Sequence, residues 1–170
     1  MTAVLGGAGA AICFAVTTLC SSRSARMLGP PAALGWVMLV GLVITAPLVA
    51  ASGLPSALDG AMLPWLAISG AGNVLGLLLE YAGLRTGKVG VVAALASAEG
   101  AVAALLSVLV GERLETAVAV PVAVVGLGVV LAGLTPDDPG AAPPPRALRP
   151  TRAALFGVAA ALAFGASLYA

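Results

Sequence analysis

The chain has 170 residues, of which 61% are hydrophobic and only 9% are charged, and its formal net charge is +1. A soluble domain carries about 25% charged residues, so this composition predicts an integral membrane protein. The chain contains no histidine, which excludes histidine-based metal sites, a Ser-His-Asp triad and a HExxH protease. We therefore expect no enzyme activity, no catalytic residue, no metal and no cofactor. Because no basic patch with interleaved aromatic residues is present, we also expect no nucleic-acid partner.

Six apolar segments come close to the roughly 20 residues that a membrane-spanning helix needs. They are Thr2–Cys20, Ala32–Ala51, Ala61–Gly83, Val89–Val110, Thr116–Leu134 and Ala153–Ala170. This pattern predicts an all-α, multi-pass membrane protein with six transmembrane helices. Ser21–Pro31 is predicted to be the first loop. Residues 135–152 contain six prolines and predict a flexible or polyproline-II-like linker.

The basic residues indicate an orientation in the membrane. The loops after the first, third and fifth segments hold seven of the eight Lys and Arg residues. Because cytoplasmic loops carry an excess of Lys and Arg, these loops are predicted to be cytoplasmic and the N-terminus to be outside. Trp36, Trp65 and Tyr81 fall near segment ends, where the sequence predicts interfacial aromatic side chains.

An internal repeat relates the two ends of the chain. Gly7–Cys20 aligns with Gly157–Ala170 at an offset of 150 residues, so that Phe14 matches Phe164 and Thr17 pairs with Ser167. We infer a five-helix unit at 1–134, a linker at 135–152 and the first helix of a second unit at 153–170. Since five is odd, the second unit would be inverted, which is a transporter architecture. The offset also predicts that this chain is incomplete and that four further helices complete the second unit.

Glu99 is the eleventh residue of the 22-residue fourth segment, which predicts a carboxyl group near the middle of the bilayer. A central acidic residue costs about 2.5–3.5 kcal/mol on insertion scales. We therefore expect Glu99 to have a functional or structural role. A protonatable group that faces a cavity could bind a cationic substrate or exchange a proton. The alternative is a neutral Glu99 that is hydrogen-bonded to a neighbouring helix.

A polar stripe runs along the third segment. Ser69, Asn73, Gly76 and Glu80 are spaced four, three and four residues apart, so they share one helix face. Such a stripe faces a cavity or another helix rather than lipid. For Glu80 the alternative is an ion pair with Arg85.

Small residues also recur at four-residue spacing. Gly72 with Gly76 and Gly83 with Gly87 form two GxxxG patterns. Such patterns let helix backbones approach closely, and we predict helix packing as their role.

The run from Ala82 to Leu134 resembles the second half of an EamA domain of the drug/metabolite transporter superfamily. That family shows an Ala-Leu-x-x-Thr/Ser turn, a Ser-Leu-x-Pro-like segment, and Gly-Glu-Arg-Leu before a Gly-rich last helix. The corresponding positions here are Ala82–Thr86, Ser97–Gly100, Gly111–Leu114 and Gly126–Gly133. Gly100 stands where the family has Pro, which removes an expected kink. The resemblance covers 1–134 as one domain and 153–170 as the start of another.

The resemblance implies a carrier of small metabolites or drugs in the cell (inner) membrane, exporting amino-acid-like compounds by alternating access. We expect Glu99, Glu80, Asn73 and Ser69 to line its route. The expected partners are a small-molecule substrate, protons, the lipid bilayer and a second copy in a homodimer. The alternative is a non-transporting membrane subunit or scaffold that binds partner helices. Family members have ten helices and both ends in the cytoplasm, whereas the charge distribution here places the N-terminus outside.

Overall fold

The fold is known from a computed structural model that describes residues 2–53, 60–111, 116–134 and 150–169. All elements in these ranges are helices, and none is a strand. They are α1 (Thr2–Leu28), α2 (Pro30–Ser52), α3 (Leu63–Thr86), α4 (Val89–Ala96), α5 (Glu99–Leu109), α6 (Thr116–Leu134) and α7 (Pro150–Tyr169). Five stretches are long and apolar enough to span a bilayer, with α4 and α5 together forming one, and α6 contains a shorter apolar stretch. The predicted all-α membrane fold with six apolar segments is confirmed.

Two predicted features fall largely outside this description. The linker was expected at 135–152, and its residues 135–149 lie outside the described ranges. The same holds for residues 112–115, which include most of the Gly-Glu-Arg-Leu motif. The last helix begins at Pro150, three residues before its predicted start.

The predicted first loop, Ser21–Pro31, is mostly helical, so that prediction is wrong. No glycine or proline occurs between Gly9 and Gly29, and α1 continues through Arg23 and Arg26. Its 27 residues extend about 40 Å, longer than the roughly 30 Å hydrocarbon core. Gly29 alone separates α1 from α2, and its φ of +89° is one that side chains with a Cβ rarely adopt. Pro30 then begins α2, where its missing N–H costs nothing.

Arg26 joins α1 to the end of α3. Its Nε donates a hydrogen bond to the Leu84 carbonyl oxygen at 3.2 Å, and its Nη2 donates to the Gly87 carbonyl oxygen at 3.3 Å. These carbonyls belong to the last turn of α3 and its cap, where a cation is favourable. The contact therefore fixes the connection between α3 and α4.

The described Lys and Arg residues lie at one end of the helical assembly. This end combines the C-terminus of α1, the α3–α4 connection and the N-terminus of α7, which approaches Gly87 through Ala153. The residues are Arg23, Arg26, Arg85, Lys88 and Arg152. Their grouping agrees with the predicted arrangement of loops, and the side of the membrane that this end faces stays a prediction.

The fourth predicted segment is two helices rather than one. A turn at Ser97 and Ala98 separates α4 from α5, so Glu99 is the first residue of α5. The Ser97 hydroxyl donates to the Ala94 carbonyl oxygen at 2.9 Å, a local hydrogen bond that competes with regular helix continuation. The expectation that Gly100 leaves this segment without a kink is wrong, because the interruption lies before Gly100.

The position of Tyr81 near a segment end predicted an interfacial side chain. Tyr81 is instead buried between helices. It is only 3% exposed, and the Ser21 hydroxyl donates a hydrogen bond to its phenolic oxygen at 3.3 Å. It packs with Leu84 and Val92 in the apolar cluster near the basic end. Trp36 and Trp65 are both more than half exposed.

Three glycines of α3 and the glycine that caps its C-terminus let α7 approach closely. Each of the four would place a Cβ against a side chain or backbone atom of α7. They are Gly72, Gly76, Gly83 and Gly87. At Gly76 the added Cβ would lie 2.6 Å from the ring of Phe164. The predicted packing role of these glycines is confirmed, and their shared partner is α7.

Glycines of α7 form its contact with α4 and α5. A Cβ on Gly157 would lie 2.8 Å from the Cβ of Leu95 on α4. One on Gly165 would lie 2.5 Å from Val102 and 3.0 Å from the carbonyl oxygen of Glu99, both on α5. Helix α7 therefore packs between α3 on one side and the α4–α5 pair on the other.

We predict that Gly76→Ala destabilises the chain, because the new methyl group would lie 2.6 Å from the ring of Phe164. Phe164 is 8% exposed, so its ring has little room to move. Overpacking of this kind costs about 1–3 kcal/mol, measurable as a lower free energy of unfolding by SDS in mixed micelles.

Gly70→Ala is the matched control on the same helix, since no atom lies within 4 Å of its added Cβ. It should be neutral or slightly stabilising, because alanine favours helix more than glycine does. Equal losses of stability in the two variants would contradict the close contact between α3 and α7.

Candidate functional site

A cavity of about 220 Å³ lies between α1, α3, α5 and α7. Its lining combines carboxyl, amide and hydroxyl groups with apolar side chains. The lining residues are Phe14, Asn73, Leu77, Glu80, Glu99, Phe164, Ser167 and Leu168. Three of the four predicted site residues, Glu99, Glu80 and Asn73, are thus brought together at one cavity.

Helix geometry explains why α3 contributes three of these residues. Asn73, Leu77 and Glu80 follow one another at spacings of four and three, which places them on one face of α3. Glu99 comes from α5 and begins that helix. The close approach of Gly165 to the Glu99 carbonyl oxygen holds this end of α5 against α7, and its carboxyl group then meets the cavity.

The Glu80 side chain is buried, and its carboxyl group lines the cavity. No fully buried side-chain oxygen or nitrogen atom of the described residues lacks a hydrogen-bond partner. Glu80 is only 4% exposed, and neither a hydrogen bond nor an ion pair joins it to another described side chain. The alternative pairing with Arg85 does not form, and Arg85 is exposed, with its guanidinium group near Gly29. An unpaired polar group in a low-dielectric interior is costly, so the cavity beside Glu80 is where a compensating group would bind.

Glu99 is partly exposed and also lines the cavity. The alternative of a hydrogen bond to a neighbouring helix does not form with any described residue. Two carboxyl groups therefore share one small cavity, where their negative charges would repel each other. Within the described ranges, no group of three or more His, Cys, Asp or Glu side chains could hold a metal ion.

Ser69 is engaged with α7 instead of lining the cavity. Its hydroxyl donates to the Ser167 carbonyl oxygen at 2.9 Å, and the Ser167 hydroxyl donates to the Ser69 carbonyl oxygen at 2.7 Å. This reciprocal pair lies one helical turn from Asn73. Its role in the structure is to fasten α3 to α7 beside the cavity.

Sequence reasoning did not predict a site role for five of the lining residues, which are Phe14, Leu77, Phe164, Ser167 and Leu168. Phe14 and Phe164 are the phenylalanines that the 150-residue offset matches, and both line the same cavity. The repeat was therefore a signal for these two residues. Leu77 and Leu168 carried no signal, because an apolar residue on an apolar helix is expected everywhere.

A second cavity, of about 410 Å³, lies along the surface of α1 at the basic end. It is lined by Leu19, Ser22, Arg23, Arg26 and Met27. Because all of these residues belong to a single helix, no opposing element of the described chain encloses a ligand there. The smaller cavity, which residues of four helices line, is the better candidate site.

Residues 1–134 match the model of the EamA-like transporter family. No curated protein matches the chain, and no solved structure does. The match covers α1 to α6 and includes Asn73, Glu80 and Glu99.

We predict that Ser69 contributes to stability and Asn73 does not. Ser69→Ala removes the hydrogen bond to Ser167 and should lower the free energy of unfolding by about 0.6 kcal/mol, the average for interhelical bonds in a membrane. Asn73 is exposed and bonds to no described residue, so Asn73→Ala should leave stability nearly unchanged. SDS unfolding of both variants measures the difference, and a larger loss for Asn73→Ala would contradict these roles.

Proposed function

Because the chain belongs to the EamA-like transporter family, we propose that it carries small metabolites or drugs across the cell (inner) membrane. We further propose that it exports amino-acid-like compounds by alternating access. The observation that supports this most is the cavity of about 220 Å³ between four helices, into which two unpaired carboxyl groups and an amide project. Polar groups of this kind inside a membrane protein are costly and mark substrate or ion pathways.

The interrupted helix supports a moving part beside the cavity. Transporter sites commonly form where spanning helices are discontinuous, and α4 and α5 are separated at Ser97 and Ala98 next to Glu99. Residues at helix ends absorb the backbone rotation of a hinge. Movement of α5 relative to α4 would therefore shift Glu99 within the cavity and open it to alternate sides.

The matched phenylalanines support a site at an interface between repeats. Phe14 of α1 and Phe164 of α7 occupy matching repeat positions and line the same cavity. In transporters built from inverted repeats, the substrate binds where the repeats meet. We propose that α7 begins the second, inverted unit and that the cavity belongs to this interface.

The carboxyl groups also provide a means of coupling substrate transport to proton movement. A carboxyl group that faces a cavity can take up a proton on one side of the membrane and release it on the other. We propose that protons exchange for substrate at Glu99, with Glu80 close by in the same cavity.

A second candidate function is a non-transporting scaffold. Helix α2 is exposed from Gly35 to its end at Ser52, and Trp36 is 61% exposed. This face would meet lipid, partner helices or a second copy of the chain. A scaffold needs no polar cavity, so the carrier remains the function that the site supports better.

We predict that Glu99→Gln lowers transport by about tenfold or removes its pH dependence. Glutamine keeps the size and hydrogen-bonding capacity of the side chain but cannot titrate. Flux of labelled amino-acid-like compounds into proteoliposomes, measured against pH, tests this. Gly70→Ala, which has no neighbour within 4 Å, is the control and should transport like the unaltered chain.

Two results would contradict the proposal. Flux and a pH profile equal to those of the unaltered chain in Glu99→Gln would end proton coupling at this residue. If Glu99 is a structural group, Glu99→Leu should be the harmful variant and act on stability. Absence of any flux by the unaltered chain, together with capture of a partner helix bundle, would favour the scaffold.

A further inference from the structure

The charged groups of the cavity are of one sign. Among the described lining residues, Glu80 and Glu99 are the only ones that can carry a charge, and both are acidic. Neither Lys nor Arg lines it in the described part of the chain, and the sequence has no His. A ligand in this cavity therefore meets negative charge without a compensating cation from these side chains.

The basic side chain nearest to this cavity along α3 does not compensate for the acids. Arg85 is exposed at the helix end, and Arg26 donates its hydrogen bonds to backbone carbonyls at the α3–α4 connection. A carboxylate on a ligand would thus be buried beside two acidic groups with no described basic partner. Burial of an unpaired charge is strongly unfavourable.

The remaining lining groups suit an ammonium ion. The faces of aromatic rings attract cations, and Phe14 and Phe164 both contribute rings. The Asn73 amide and the Ser167 hydroxyl add oxygen atoms that can accept hydrogen bonds from N–H groups. Because Glu80 is only 4% exposed and has no described partner, an ammonium group beside it would supply the missing one.

The volume restricts the size of the ligand. A cavity of about 220 Å³ is smaller than the roughly 300–1,000 Å³ of pockets that hold drug-sized ligands, which indicates a small organic molecule. Leu77 and Leu168 supply apolar surface for its carbon atoms.

We propose that this cavity binds small organic amines that lack a free carboxylate, in preference to the corresponding zwitterionic amino acids. The inference rests on the proposed function, because it takes the cavity to be the substrate site. It narrows the class of substrates from amino-acid-like compounds to the amines, esters and amides related to amino acids. Ammonium binding offsets the repulsion between the two carboxyl groups, whereas a zwitterion adds a third negative charge.

The proposal predicts a direction for the pH dependence of binding. Among the described lining residues, the titratable groups are Glu80 from α3 and Glu99 from α5, and those of α1 and α7 include no titratable side chain. A protonated carboxyl group attracts an ammonium ion less than a carboxylate does. Amine binding should therefore weaken as the pH falls, because protons and amines compete for the same two groups.

Equilibrium binding to the purified 170-residue chain in lipid nanodiscs tests the proposal. The probes are phenethylamine, phenylalanine, phenylalanine methyl ester and phenylpropionate, which share a phenyl ring and differ in their charged groups. We expect phenethylamine and the ester to bind at least about tenfold more tightly than phenylalanine, because only phenylalanine must bury an unpaired carboxylate. Phenylpropionate should not bind.

Substitutions locate the binding. Glu80→Gln and Glu99→Gln should each weaken phenethylamine binding and reduce its pH dependence, whereas Gly70→Ala, outside the cavity, should change neither. Phenylalanine binding as tight as phenethylamine binding would overturn the proposal. So would failure of all four probes to bind, a result that does not depend on whether the Gln variants fold.

Binding and flux separate this proposal from the carrier function. Selective amine binding without flux of any compound would contradict the proposed transport and leave the amine site intact. Flux of phenylalanine at the rate of phenethylamine, with no difference in affinity, would overturn the amine preference and leave the carrier function intact.

Discussion

The structure depends on the close packing of α7 against α3 and the α4–α5 pair. Apolar side chains give helices little reason to associate in lipid, because the lipid tails are equally apolar. The association must then come from close van der Waals contact between helix backbones at small residues, which glycines on both helix surfaces permit. Gly76 accommodates the ring of Phe164, and Gly165 accommodates Val102. The Ser69–Ser167 hydrogen bonds fix the register of α3 against α7, which dispersion forces alone would not determine.

This packing also determines where the polar groups meet. Each carboxyl group lies on a different helix, and α7 contacts both helices, so it sets the distance between them. The same helix adds Phe164 and Ser167 to the wall of the cavity. Loss of the α7 contact would leave Glu80 on α3 facing lipid, which is unfavourable for an acid. Stability and the polar site are therefore linked through one helix.

The sequence predicts most of the helices and much of the site, because long apolar runs and polar stripes are local features. Asn73, Glu80 and Glu99 were identified from their spacing and from their cost in a membrane. Ser69 shared that spacing, but its reciprocal bond depends on Ser167, which is distant in sequence and could not be paired with it. The extension of α1 to Leu28 was missed because charge, which marks a loop, does not itself end a helix. The break before Glu99 coincides with a local hydrogen bond from the Ser97 hydroxyl. Because Gly stands at position 100 in place of Pro, the sequence predicted no kink there.

Reaction with dicyclohexylcarbodiimide tests most directly whether the two carboxyl groups share one cavity within the membrane. The reagent enters membranes and modifies protonated carboxyl groups, and its bulky adduct would fill a space of about 220 Å³. Intact-chain mass spectrometry with fragmentation should find chains modified at Glu80 or at Glu99, with almost none modified at both. Frequent modification of both residues on one chain would contradict a shared cavity.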